Sequence, residues 1–399
     1  MLHRSITLAV ALLALAASAT FAQKEPKRPK LPVGLDSNDA RVYYAFAMKN
    51  LRNDPDKAAD ALYWTTRLDP AWADGFYARR IALLLTNHSR LLNYWNGDRR
   101  TIQSSDIKRI DSLFYHALTI NPFVSQTLDR QLFESIADDI ASKYERDGVA
   151  SASEARYAID QEMKTASPGM KAWLAYGDSR FDDALRLYAE AIHADKHNWP
   201  LRIDRARVFY QTNQLDRALT ELNATLDDMR KQDAKDLIYV YQSKALTEQS
   251  IGAVYQKLGN ADAAREAFGR ALQEDLSYYP AHMQLAFMAI GSHDTATALT
   301  ELDLAVQVHD DDPATRYVYG LALATTGKAP EAEVQLRKAI ELDPAYAAPH
   351  FMLGYALEQQ SKGAAAMAEY STFLAIAPQV DAKRESAAGR IAALKAGGF

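Results

Sequence analysis

The sequence predicts an all-α solenoid: a stack of antiparallel helix pairs rather than one globular core. Three observations carry this. Six alanines fall on one beat, Ala184, Ala218, Ala264, Ala298, Ala332 and Ala366, at steps of 34, 46, 34, 34 and 34 residues. A fixed period of this size marks copies of one small unit, each burying its flank against the next. Parallel rows keep the same beat, and turn signals fall between the rows.

The chain opens with Met1–Ala22, which carries Arg4, an apolar run from Ile6 to Ala17, and then small residues. This is the pattern of a secretory signal peptide, with cleavage after Ala22 or Ala19. Its apolar run is shorter than the roughly 20 residues of a spanning helix, so no transmembrane segment is expected in the mature chain. The sequence has no cysteine. That excludes a lipid-anchored N-terminal Cys and every disulfide, and it suits a soluble protein of the bacterial periplasm, or a secreted one, better than a eukaryotic secretory route. Removing Met1–Ala22 takes away one positive charge, moving the net charge from −5 to −6. A mildly acidic chain without a basic face argues against nucleic acid as a partner.

Residues 23–36 hold Pro26, Pro29 and Pro32 among Lys24, Lys27, Arg28 and Lys30; this reads as a solvated, extended tether. Over 37–164 helical repeats are present in loose register. Ala58, Leu62, Thr65 and Pro70 imitate the second helix of a unit, and so do Ile110, Phe114, Ala117 and Pro122. The second set lies 52 residues after the first, which places 18 extra residues near Asn87–Ser105. Ser125–Ala166 reads as two further helices.

Residues 165–380 carry six regular units. Seven residues after each beat alanine comes Ala191, Thr225, Ala271, Ala305, Ala339 or Phe373; between them lie Tyr188, Leu222, Phe268, Leu302, Leu336 and Tyr370. Twelve residues before the beat the chain has Ala172, Ala206, Gly252, Ala286, Gly320 and Gly354. Small residues mark where two helices approach closely, and large ones fill the space beside them. Leu258-Gly259-Asn260 and Thr326-Gly327-Lys328 are turns; Pro344 and Pro378 follow second helices, where a residue without an amide proton ends the ladder. The 46-residue step carries 12 extra residues near Asp227–Lys244 with no Gly or Pro among them, which predicts two lengthened helices. Residues 381–399, with Arg384, Ile391 and Leu394, read as a capping helix.

At Gly320-Leu323-Gly327-Ala332-Leu336-Ala339-Pro344 and Gly252-Tyr255-Gly259-Ala264-Phe268-Ala271 the chain resembles the tetratricopeptide repeat family. The resemblance implies a right-handed superhelix whose first helices line a concave groove. It departs from the family in one row: Arg202, Glu248, His282, Arg316 and His350 stand where the family often has Trp. Carried over by offset, the groove positions hold Trp173, Tyr176, Ile203, Arg207, Tyr210, Gln249, Gln256, Met283, Phe287, Tyr317, Phe351, Tyr355 and Glu358. Family grooves that clamp a terminal carboxylate use Lys, Arg and Asn here; this row is aromatic, with Arg207 as its one match. The expectation is a groove that grips apolar or aromatic side chains of another protein or peptide segment. The competing reading of each ring is packing between neighbouring repeats.

Motifs for chemistry are weak. Gly177-Asp178-Ser179 matches the nucleophile segment of one esterase family but falls on a turn between helices, not at the end of a buried strand. His193 and His197 have the spacing of a metal pair on a helix, but the helix should end before His197. Asp310-Asp311-Asp312-Pro313 is better read as a helix cap. No catalytic residue, cofactor or metal site is assigned. The functional expectation is an exported, non-enzymatic scaffold for protein–protein interaction. Two rival readings are a self-associating structural subunit of an envelope complex and an enzyme with its site in the irregular N-terminal half.

Overall fold

Caps and prolines set the helix starts. Asp54, Ser151, Ser167, Asn198, Ser243, Asn260, Asp294 and Asp312 each accept a hydrogen bond from an amide of the helix that follows. Pro55, Pro168, Pro200, Pro280, Pro313 and Pro330 sit in first turns, where no amide proton is wanted. Asp312 thus does what its place before Pro313 predicts. The computed structural model describes residues 25–95, 102–233 and 243–397. The expected signal peptide lies outside the described residues, as do parts of both insertions.

Among the described residues there are 19 helices and no strand. In order they are α1 Ala40–Asn50, α2 Pro55–Leu68, α3 Ala73–Trp95, α4 Ser104–Ile120, α5 Asp129–Arg146, α6 Ala152–Thr165, α7 Pro168–Gly177, α8 Phe181–Ala194, α9 Trp199–Gln211, α10 Leu215–Asp233, α11 Lys244–Lys257, α12 Ala261–Glu274, α13 Tyr279–Gly291, α14 Thr295–Val308, α15 Pro313–Thr325, α16 Ala329–Leu342, α17 Ala347–Gln359, α18 Gly363–Ile376 and α19 Lys383–Ala396. Consecutive helices pair from α1–α2 through α17–α18, each pair packs on the next, and α19 covers the last. This is an all-α superhelical solenoid of stacked antiparallel helix pairs.

The six C-terminal pairs share one turn. Ser179, Asn213, Gly259, His293, Ser361 and Gly327 all have φ between 58° and 79°. The amide of the next residue reaches back to the helix, as in Lys328 N to Leu323 O at 2.9 Å and Lys362 N to Leu357 O at 2.9 Å. This is the Schellman ending, repeated on the 34-residue beat. Behind each turn the small row of the first helix meets the large row of the second. Gly320 lies against Leu336 and Gly354 against Tyr370; a Cβ on either would stand 2.6 or 2.7 Å from the neighbouring side chain. Phe268, Leu302, Leu336 and Tyr370 are fully buried there.

Two expectations change. α10 has 19 residues against 14 in α8, but α11, capped by Ser243, has 14 against 13 in α9 and α13. Among the described residues the second insertion therefore lengthens α10 and not α11. The tether also does not stand free: from residue 25 on it lies along α2, where the Trp64 indole donates to Pro26 O at 3.0 Å and Arg28 covers the Trp64 ring at 4.3 Å.

Candidate protein-binding groove

The thirteen groove positions lie on the first helices of the regular units, α7, α9, α11, α13, α15 and α17. For nearly half of these positions the neighbour is the chain's own N-terminal part. Reading the arm backwards from α5 pairs it with the solenoid read forwards. Trp173 Nε1 donates to Asp129 Oδ2 at 3.4 Å, and Tyr176 Oη accepts the Gln126 amide at 3.0 Å. Phe123 stacks on Tyr210, Gln249 Nε2 donates to Thr119 O at 2.9 Å, and Thr119 Oγ1 meets Tyr279 Oη at 3.0 Å. Farther on, Arg67 pairs with Asp343 at 2.7 Å. At the far end Asn38 Nδ2 donates to Ala375 O at 3.0 Å and Gln379 N to Asp36 Oδ2 at 2.6 Å.

This arrangement divides the predicted residues into three groups. Tyr176, Arg207 and Gln249 are buried, and Trp173, Ile203 and Tyr210 are partly buried under the arm. Arg207 is held by Asp204 at 2.5 Å; it is not an open anchor for a carboxylate. Gln249 is 1% exposed, with its carbonyl taking the Tyr278 hydroxyl. Tyr210 carries Phe123 on its ring and Lys257 4.1 Å from the ring centre; burial pushes its hydroxyl pKa up. Ile203 faces a cavity of about 170 Å³ shared with Phe114 and Leu118 of α4.

A second group packs at the C-terminal end. Tyr317 meets Tyr346 edge-on at 5.3 Å, and Phe351 leans on Tyr370 and Phe373. Tyr355 lies under Arg390 of α19 at 5.0 Å, and Glu358 accepts from Arg390 at 2.7 Å. For these rings packing between and beyond repeats accounts for the environment.

The third group is open. Gln256 is exposed and bonded to Gln284 at 3.3 Å. Phe287 is 44% exposed. With Met283 it borders a cleft of about 170 Å³, walled across by Pro70, Ala71 and Ile120 and closed at one side by Val318.

Sequence reasoning missed the arm. One signal was present: Phe123-Val124 is an apolar pair in a short connection after Pro122, and both residues are buried. It also left the missing Trp row unexplained. His282 Nδ1 meets Glu301 at 2.7 Å, Arg316 Nη1 donates to Gln335 at 2.7 Å and His350 Nδ1 meets Glu369 at 2.7 Å. Each pair spans 19 residues, so a polar tie between first and second helix replaces the aromatic contact. In the unit with the insertion Glu248 is buried and takes Arg230 at 3.0 Å and Arg270 at 2.9 Å instead.

The other singled-out motifs carry no constellation. Ser179 is the left-handed turn residue after α7. His193 lies in the last turn of α8, while His197 lies beyond the helix end, 3.9 Å from Asp228.

Family profiles described as tetratricopeptide repeat match residues 175–238, 249–278 and 320–381. No curated protein sequence matches the chain. Among solved structures it is similar to YrrB, described as a TPR protein with an unusual peptide-binding site, at 23% identity, over 51% of this chain and 97% of that one, with a TM-score of 0.40. It is also similar to the C-terminal part of a TPR repeat-containing protein from Cytophaga hutchinsonii, at 14% identity, over 52% and 78%, with a TM-score of 0.43. A third is MamA, residues 41 to the end, from Desulfovibrio magneticus, at 16% identity, over 45% and 94%, with a TM-score of 0.37.

Proposed function

We propose that this chain, a tetratricopeptide repeat protein, is an exported scaffold that takes a segment of another protein on the part of its concave wall that its own N-terminal pairs leave open. The supporting observation is the Phe287 ring, 44% exposed on the groove row beside Met283 and a cleft of about 170 Å³. An exposed aromatic bordering an apolar cleft is the arrangement in which a partner's side chain gains most from leaving water. The cleft has walls from both halves of the molecule, Pro70 and Ile120 from the arm and Met283 and Val318 from the solenoid. Recognition on this reading depends on the arm being docked. Export rests on the Met1–Ala22 pattern, and among the described residues no helix is long and apolar enough to cross a membrane. The reading involves no nucleic acid and no catalysis.

The test is capture of the partner from the native envelope fraction, followed by titration with purified protein. Phe287→Ala should weaken binding by about 1.5–3 kcal/mol, roughly ten- to a hundredfold, while circular dichroism stays unchanged. Tyr210→Ala should act mainly on stability, because that ring is already covered. Unchanged affinity in a folded Phe287→Ala protein overturns the reading.

A further inference from the structure

A third, larger cavity of about 490 Å³ lies where the first two helix pairs meet the inter-repeat loops of the solenoid. Its walls are ring-rich. Phe76 and His116 pack edge-on at 4.3 Å on the arm side, and Tyr279 and His309 stack at 4.1 Å on the solenoid side. Arg67 and Arg79 line its arm-side end.

The charges around it do not balance at one point. Arg67 is matched by Asp343 at 2.7 Å and Glu25 at 3.7 Å. Asp312 is committed to α15, accepting from Thr315 N at 2.8 Å and Thr315 Oγ1 at 2.6 Å. Asp311 is exposed and pairs with His309 at 3.4 Å. Arg79 is different. Its guanidinium lies over the Tyr63 ring at 4.7 Å and Nη1 makes a long bond of 3.4 Å to Thr66 Oγ1. No carboxylate lies within ion-pair distance of it among the described residues. Burial pushes Arg79 down to about 10, and the nearby Arg109 and Arg67 charges push the same way. A partly buried cation with no carboxylate beside it among the described residues gains from an oxyanion on its guanidinium fork.

We propose that this cavity binds a small organic oxyanion, a carboxylate or a phosphate ester, with Arg79 as the counter-ion and the body of the ligand between the His116 and Tyr279 rings. The site adjoins the cleft at Phe287, sharing Pro70, His116, Thr119, Tyr279 and Asp312 with it, and differs from it in charge and in the residue that anchors its ligand. Guanidinium geometry suits either oxyanion bidentately, and flat rings on both sides favour a planar or apolar body.

The experiment titrates the full mature protein with 4-hydroxybenzoate, phenyl phosphate and the uncharged 4-hydroxybenzamide, by calorimetry and by thermal melting. The expected result is saturable binding of at least one anion at one site per chain, with a rise in melting temperature and no such effect of the amide. 4-Hydroxybenzoate against phenyl phosphate tells the carboxylate from the phosphate class. Arg79→Met should weaken that anion at least tenfold and remove its effect on melting, with partial recovery in Arg79→Lys. His309→Ala, which takes one ring from the wall and leaves Arg79 in place, should weaken it several-fold and serves if the Arg79 variants do not fold. Binding of neither anion, equal binding of the amide, or unchanged affinity in the folded variants overturns the proposal.

Discussion

The Phe123 ring lies flat on the Tyr210 ring, with centroids 3.8 Å apart and planes 9° from parallel. One ring belongs to the connection after α4 and the other to the predicted groove row, so the stack measures how firmly the N-terminal arm is docked. Offset or parallel aromatic pairs contribute about 0.5–1.5 kcal/mol beyond the area they bury. A double-mutant cycle of Phe123→Ala and Tyr210→Ala, followed by urea unfolding, should return a coupling energy in that range. Additive losses would mean that the two rings do not meet in solution.

The glycines predict opposite signs at different places. Gly320→Ala and Gly354→Ala would push a methyl group into Leu336 and Tyr370, at 2.6 and 2.7 Å. Each should destabilise by about 1–3 kcal/mol despite alanine's better helix propensity. Gly269 and Gly389 also lie within helices, but a Cβ there meets nothing within 4 Å. Those two substitutions should stabilise by about 0.5–1 kcal/mol. Melting temperatures of the four variants decide the matter.

The polar tie of the last regular pair is testable on its own. His350 is buried and its Nδ1 stands 2.7 Å from Glu369. Removing either partner should cost about 1–2 kcal/mol, and removing both should cost less than the sum, because no unpaired polar group is then left behind. Losses that simply add would reduce the tie to an accident of surface geometry.

Acid should loosen the joint between α16 and the turn that precedes α18. Burial alone would raise the Glu333 carboxyl, but hydrogen bonds from Lys362, Arg337 and Gln360 outweigh it and bring the group from its ordinary 4.5 to about 2. The unfolded chain therefore takes up this proton first as pH falls. The stabilisation is whole above about pH 4.5 and is lost as pH drops towards 2. Relative to wild type, Glu333→Gln should lose about 1–2 kcal/mol at pH 6, allowing for screening at a partly exposed site, and much less near pH 2.5. A pH-independent difference would contradict the ion-pair origin.

The repeat was legible because it is local. Spacing within 34 residues fixes which side chains share a helix face, so the beat alanines and the Tyr188–Tyr370 row fell where they were read. Turn residues were half legible: Gly259 and Gly327 announce a left-handed backbone, whereas Ser179, Asn213, His293 and Ser361 adopt it without glycine. The insertion after Thr225 was placed but wrongly shared between two helices, although Ser243 is an ordinary cap signal. What the sequence could not disclose was the arm. Gln249 bonds to Thr119 across 130 residues, and no period relates the two positions. The sequence offers a partner or a neighbouring repeat as what each groove ring meets; for nearly half of the positions the neighbour is a chain segment outside the regular units.

Asp36 and Asn38 hold Gln379 and Ala375, partners 343 and 337 residues away in the chain. A linear stack of repeats ordinarily frays from its extremities, unit by unit, since each terminal pair has a neighbour on one side only. Fastening the first pair to the last opposes that fraying, and amides in α17 and α18 should exchange hydrogen more slowly than in an unfastened terminal pair. The same fastening can form only when nearly the whole chain is in place, so partly folded stacks lack it and the last step of folding should be more cooperative than in a stack with free ends.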